Sequence, residues 1–333
     1  MTLPEVRGQE RAVAALRRAI AGGRLAHAYV FAGPPGVGKR TTALALARAC
    51  LCPEAPDEGC GVCTECRLVA AGSHPDLFIE DLARAQLDKP NATHLSIDQI
   101  RRVRSHLALR PVRGARKVAL VDPAERMTAD AQNALLKTLE EPPGSATLIL
   151  VSSNPDALLP TIRSRCQRLA FRPLSDELVA ELLAAEGIEP EAARWAAPLA
   201  DGSLDVAREL ASGDAAERCR EIRERLDRLG RSSIPDTLDF AAELAPPRGA
   251  REHQGLYAAA VVDWCRRRAH AAAEAARSVA GDRGDDALVA VRTASQRLER
   301  AYATSRDLER NANAHLAWDC LLLDLRASVR TGA

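Results

Sequence analysis

One stretch constrains this chain more than any other. Ala28-Tyr29-Val30-Phe31 leads into Gly33-Pro34-Pro35-Gly36-Val37-Gly38-Lys39, and an Ala/Leu-rich segment follows from Thr41 to Ala49. A short apolar run bounded by turn residues reads as a buried strand, and the Ala/Leu segment reads as a helix. Strand, glycine-rich loop and helix in that order build a phosphate-binding loop. Its glycines let backbone N–H groups curl around phosphate oxygens, the helix N-terminus adds a favourable dipole, and Lys39 can reach the terminal phosphates. Gly33, Gly36, Gly38, Lys39, Arg40 and Thr41 are therefore candidate nucleotide-binding residues.

The same alternation continues. Asp76–Ile79, Val118–Val121, Leu148–Val151 and Arg168–Phe171 are further strand candidates, separated by helical patterns such as Ile97 to Leu107 behind a Ser96 cap. Strands alternating with helices imply a parallel five-stranded sheet covered on both faces. Beyond Pro173 only helical patterns appear. The expectation is an α/β domain over residues 1–172, a small helical domain over 173–213 and a helical domain over 214–333.

The candidate pocket departs from a working ATPase twice. A full phosphate loop carries Ser or Thr after its lysine to ligate Mg²⁺, but Arg40 stands there. Thr41 and Thr42 come one and two positions later, and a helical step of about 100° per residue turns Thr41 away from the metal position. Asp122 ends the third strand, where a metal-bridging carboxylate belongs. The next residue is Pro123, which can act as neither base nor ligand, and Glu125 lies three positions beyond Asp122. ATP or ADP is expected to bind weakly or not at all, with little intrinsic hydrolysis.

Cys52, Cys60, Cys63 and Cys66 lie in a loop rich in Pro and Gly, at about residues 50–67. Four thiolates at this spacing suit tetrahedral Zn²⁺, and a closed four-sulfur shell makes such a site structural. Free buried thiols and an iron–sulfur cluster are the alternatives. Cys50 is expected in the core rather than at the metal. With 46 Lys+Arg against 45 Asp+Glu the chain does not resemble a basic DNA-coating protein, and 3% aromatics leaves little for a base-stacking surface. No window approaches the apolar length of a membrane span and the N-terminus lacks a signal-peptide core, so the expected location is cytoplasmic.

These residues resemble the bacterial clamp-loader ATPases of the AAA+ class. The resemblance rests on the Gly33–Lys39 loop, the cysteine insertion after its helix, Asp122, Asn133-Ala134-Leu135-Leu136-Lys137-Thr138-Leu139-Glu140-Glu141-Pro142-Pro143, and Ser164-Arg165-Cys166. It covers about residues 5 to 210 in the family's order, and Arg310-Asn311-Ala312-Asn313 also fits the family's C-terminal part. It implies that residues 173–213 form the lid and 214–333 an oligomerising collar. The departures at Arg40 and Pro123, Asp205 where motor subunits carry a sensing arginine, and no long C-terminal extension favour a non-motor stator subunit. An active motor subunit or another AAA+ DNA-processing factor are the alternatives. The resemblance makes Arg165 an arginine finger that reaches a neighbour's γ-phosphate in trans. It implies gamma/tau-type motors and a delta-type wrench as partners in a hetero-pentamer, with the sliding clamp and primer–template DNA contacted through the complex. Ser152, Ser153 and Asn154 after the fourth strand, and Gly8-Gln9 at the place where the family packs adenine, are weaker site candidates. No set of carboxylates suited to nucleotidyl transfer is apparent, so polymerisation is not expected of this chain alone.

Overall fold

The computed structural model describes residues 1–245, 254–278, 284–309 and 312–331. Five parallel strands, β1 (Ala28–Ala32), β2 (Leu77–Asp81), β3 (Lys117–Asp122), β4 (Ala146–Ser152) and β5 (Gln167–Ala170), form one sheet in the order β2-β3-β4-β1-β5. Around it run α1 (Glu10–Ala21), α2 (Lys39–Leu51), α3 (Thr64–Ala70), α4 (Leu82–Asp88), α5 (Ile97–Ala108), α6 (Ala129–Glu140) and the short α7 (Pro160–Arg163). The α/β fold class expected from the alternation is the one observed.

The alternation of side chains along β1 separates two cores. Tyr29 and Phe31 point to one face, with Leu16, Leu46, Leu120 and Ile149. Ala28 and Val30 point to the other, with Ile100, Val103, Leu135 and Leu148. Every residue of β1 and β4 is buried, which is why both strands read as unbroken apolar runs. Helix starts follow their caps: the Thr128 hydroxyl accepts from the Ala131 N–H at 3.3 Å, and Ser96 with Gln99 forms a capping box. α6 stops at Glu140, ahead of Pro142.

Two expected strand boundaries shift for physical reasons. β2 begins one residue after Asp76. Asp76 is instead a fully buried anchor that accepts the N–H groups of Val112, Arg113 and Gly114 and pairs with Lys117 at 2.9 Å. At the other edge β5 ends at Ala170, although the Phe171 N–H still donates to the Ala32 carbonyl at 2.7 Å.

The chain divides into two compact units, residues 1–179 with 202–205, and residues 180–201 with 206–333. The remaining helices are α8 (Asp176–Ala185), α9 (Pro190–Ala196), α10 (Leu204–Leu210), α11 (Gly213–Arg228), α12 (Ile234–Leu244), α13 (Gln254–Ser278), α14 (Gly284–Glu309) and α15 (Ala314–Thr331). Trp318 is fully buried, and the buried Trp264 donates its indole N–H to Asp227 at 2.7 Å, so both are core groups. Trp195 is half-buried beneath Arg223. Pro246 to Gly249, Arg310 and Asn311 lie outside the described residues. No described helix is long and apolar enough to cross a membrane.

Candidate phosphate-loop site and metal cluster

β1 lies between β4 and β5, so the chain leaves its C-terminal end at the point where strand order reverses, the usual crevice of an open α/β sheet. The phosphate loop occupies that position and α2 begins at Lys39 itself. Two of its glycines are required by their neighbours. A Cβ on Gly33 would sit 2.4 Å from the Phe171 carbonyl oxygen, and one on Gly36, whose φ is +70°, would sit 2.1 Å from the Ser203 hydroxyl. The segment from Gly202 to Asp205 rests on this loop, with the Leu204 N–H donating to the Gly36 carbonyl at 2.9 Å.

The two cations of the loop are both held by the chain. Lys39 is 6% exposed, and its ammonium donates to the Gly33 carbonyl at 2.7 Å, the Pro34 carbonyl and the Ser153 hydroxyl at 3.2 Å. Burial pushes its pKa down, against the opposing pull of Glu125, Asp122 and Asp205. Arg40 reaches the other way, to Asp81 at 2.8 Å and Asp122 at 3.1 Å. Burial works against its charge, but hydrogen bonds to the two carboxylates prevail and raise its pKa. Burial raises the Asp122 pKa despite Arg40 and Lys39 beside it.

A magnesium nucleotide does not fit these residues. Thr41 is exposed, while Thr42 is fully buried and donates its hydroxyl to the Gly38 carbonyl at 2.8 Å. The Asp122 carboxylate already faces a guanidinium. One oxygen of Glu125 accepts the Ser153 N–H at 3.0 Å, and its other oxygen is buried without a hydrogen-bond partner among the described residues. Gln9 is buried with its amide bonded to the Val37 and Arg172 carbonyls and its oxygen accepting the Arg172 N–H, which makes it a tether between the loop and the end of the sheet.

Sequence reasoning singled out Arg40 and Asp122 but missed Asp81. The signal available was an acidic residue closing the second strand, yet its importance arises only because Asp81 and Asp122 are register partners at the ends of adjacent strands.

The four sequence-selected cysteines do converge: their sulfurs lie within 4.8 Å of one another. Cys52 and Cys63 are 3.8 Å apart, Cys60 and Cys66 3.9 Å. A tetrahedron with metal–sulfur bonds of about 2.3 Å has edges of about 3.8 Å, so the donor set fits Zn²⁺. Backbone N–H groups of Ala55 and Cys60 point at the Cys52 sulfur, and those of Cys63 and Cys66 at the sulfurs of Cys60 and Cys63. Backbone N–H groups of Val62 and Cys63 hold the Cys60 thiol down to about 6, favouring a thiolate. Cys50 packs against the sheet core, with burial pushing its thiol up to about 12.

Arg165 stands in the turn between α7 and β5. Its side chain is 37% exposed, paired with Glu140 at 2.9 Å and donating to the Thr161 carbonyl at 3.1 Å. Next to it, Cys166 packs into the core beside α6, where burial raises its thiol to about 12. One side of the turn is thus fixed, while the guanidinium is part-exposed and held to Glu140 and Thr161.

A family model described as "DNA polymerase III, delta subunit" matches residues 8–175. A relative named DNA polymerase III subunit delta' from Pseudomonas aeruginosa is 45% identical over 152 residues, 45% of this chain and 44% of that protein. One of the same name from Bacillus subtilis is 34% identical over 217 residues, 65% of this chain and 63% of that protein. A DNA polymerase III subunit gamma/tau from Mycobacterium tuberculosis is 38% identical over 181 residues, covering 54% of this chain and 30% of that one. Each match spans less than two thirds of the relative's own length. Among solved structures, a gamma subunit-related protein from Thermotoga maritima aligns over 94% of this chain and 98% of that one, at 19% identity and a TM-score of 0.44.

Proposed function

The chain belongs to the DNA polymerase III delta subunit family, in its delta-prime branch, and from that premise we propose that it is the non-motor stator of a clamp loader. In this reading it works beside gamma/tau-type motors and a delta-type wrench in a hetero-pentamer, and helps load a sliding clamp onto primed DNA in the cytoplasm. Residues 1–172 act as the AAA+ unit, 173–213 as its lid and 214–333 as the collar that joins the ring. Residues 52–66 hold a structural zinc ion. The proposal predicts one zinc per chain, lost on replacing Cys60 by Ser.

The observation that carries the reading is the contrast between the two arginines. Arg40 is bonded to the chain's own Asp81 and Asp122, which disables the local pocket. Arg165 projects from an anchored turn with one half-exposed carboxylate beside it. A guanidinium offered across a subunit boundary stabilises charge developing on a transferring phosphoryl group, and its fork matches phosphate oxygens. Rigid placement matters because the finger must arrive without reordering a loop. The partly buried Cys166 and the hydrogen bonds from the Ser164 and Arg165 N–H groups to the Pro160 and Ile162 carbonyls supply that rigidity.

The motor alternative requires a metal and a base at Asp122 and its successor, where a guanidinium and Pro123 stand. Magnesium-dependent ATP hydrolysis by the isolated chain decides between the two. The stator reading expects turnover at background, rising only when motor subunits and DNA are added and falling when Arg165 is replaced by Ala. Vigorous hydrolysis by the isolated chain, abolished by Lys39→Ala, would make it a motor.

A further inference from the structure

The disagreement between the pocket and a magnesium nucleotide has a specific physical form. Asp81 and Asp122 sit opposite each other at the ends of β2 and β3. One oxygen of Asp81 caps α4 by accepting the Arg84 N–H at 2.9 Å, and the other turns to Arg40 at 2.8 Å. The Asp122 oxygen that meets Arg40 does so at 3.1 Å. Both carboxylates are about four-fifths buried, at 19% exposure. Two such carboxylates side by side repel strongly, and a shared cation relieves that. Oxygen pairs of this kind are what hard divalent ions select. Lys39 cannot serve, because its ammonium is turned to Gly33, Pro34 and Ser153. Among the described residues it is Arg40 that bridges the pair, one terminal nitrogen to each carboxylate.

We propose that Arg40 is a resident replacement for a divalent cation: its guanidinium fills the seat between Asp81 and Asp122, so the pocket is cation-saturated without metal and excludes magnesium and manganese. This deepens the damaged-pocket part of the reading above and rests on it. The residue does more than remove a hydroxyl ligand. It supplies the countercharge that holds β2, β3 and the first turn of α2 in their present arrangement, independent of metal and nucleotide levels. The stator would then present one fixed pocket conformation throughout a loading cycle.

The test uses the zinc-loaded full chain, without nucleotide or partner subunits, titrated with Mn²⁺ while free Mn²⁺ is followed by electron paramagnetic resonance. The wild type is expected to leave the ion free. Arg40→Ser, which uncovers both carboxylates and offers a hydroxyl, should take up one Mn²⁺ at least roughly tenfold more tightly than wild type. It should also melt at a higher temperature with Mn²⁺ than without. Adding Asp122→Asn should abolish the uptake, and Arg40→Lys, a cation that cannot bridge as a fork, should fall between. A folded Arg40→Ser variant that binds Mn²⁺ no better than wild type overturns the proposal. So does stoichiometric Mn²⁺ uptake by the wild type that Asp122→Asn removes, an outcome that needs no Arg40 variant to fold. Because no motor subunit is present, failure of the trans-acting role of Arg165 leaves this result unaffected.

Discussion

Two cationic places on one α/β unit are built in opposite ways. In the phosphate loop, Lys39 is buried against three acceptors and Arg40 is shared by two largely buried carboxylates. At the turn before β5, Arg165 is 37% exposed and its one carboxylate partner, Glu140, is 51% exposed. The first place carries the more recognisable motif, and Arg40 is itself 43% exposed; what sets the second apart is that its single carboxylate partner is half-exposed, whereas Asp81 and Asp122 are each only 19% exposed. What decides availability is how dry the acceptors around a cation are, because a cation neutralised by buried groups has little left for a ligand.

The largest effect that could break this contrast is catalytic. In a loader reconstituted with this chain, Arg165→Ala should lower DNA-stimulated ATP hydrolysis by about a thousandfold or more per affected site, the range of an arginine supplied in trans. Steady-state phosphate release measures it, with pentamer assembly verified by gel filtration. In the same assay Lys39→Ala in this chain should change the rate by less than about twofold, since its ammonium is engaged by its own loop. A larger loss from Lys39 than from Arg165 would invert the comparison.

A third cation sets the scale for a purely structural role. Lys117, at the opposite end of β3 from Asp122, is 2% exposed and paired with the fully buried Asp76. Asp76→Asn leaves that ammonium without its countercharge and should cost about 3–5 kcal/mol in urea unfolding at neutral pH. Burial alone would raise the Asp76 pKa, but the N–H groups of Gly114, Val112 and Arg113, with Lys117, hold it well below the usual carboxylate range. A depressed folded value gives stability that is present above the unfolded pKa of about 3.9 and lost as pH falls toward the folded one. The gap between wild type and variant should therefore hold at neutral pH and begin to narrow below about pH 4. Arg40, more exposed, should show a smaller stability effect than Lys117 when each is replaced.

These contrasts were partly legible in the sequence. The phosphate loop, the cysteine spacing and the strand-end Asp122 depend on local order, and local order survives into the fold unchanged. Arg40 and Asp122 were each selected for what they fail to supply, but their mutual bond was not foreseen. It joins residues 82 positions apart and depends on the register of β2 against β3, which no local pattern fixes. Asp76 looked like the first residue of a strand because it precedes an apolar run. Its part as an anchor emerges only when the loop from Val112 to Gly114 folds over it. Gln9 was placed near adenine by position, whereas its amide is bonded to Val37 and Arg172.

The smallest expected effect is the sharpest probe of the exposed side of the comparison. Glu140 and Arg165 pair at 2.9 Å on the surface, and exposed pairs contribute about 0–1 kcal/mol while paying side-chain entropy. Glu140→Gln should therefore leave the melting temperature of the isolated chain within about 2 °C of wild type. Its effect should appear in the assembled ring, where Arg165 must leave Glu140 to meet a neighbour's phosphate. Freed of that competitor, the finger should raise kcat by up to about fivefold at low salt with the KM for ATP little changed. Raising ionic strength should erase the difference, because screening weakens the same pair in the wild type. Should Glu140→Gln instead destabilise the isolated chain as Asp76→Asn does, Arg165 would be a second structural cation and the asymmetry between the two places would disappear.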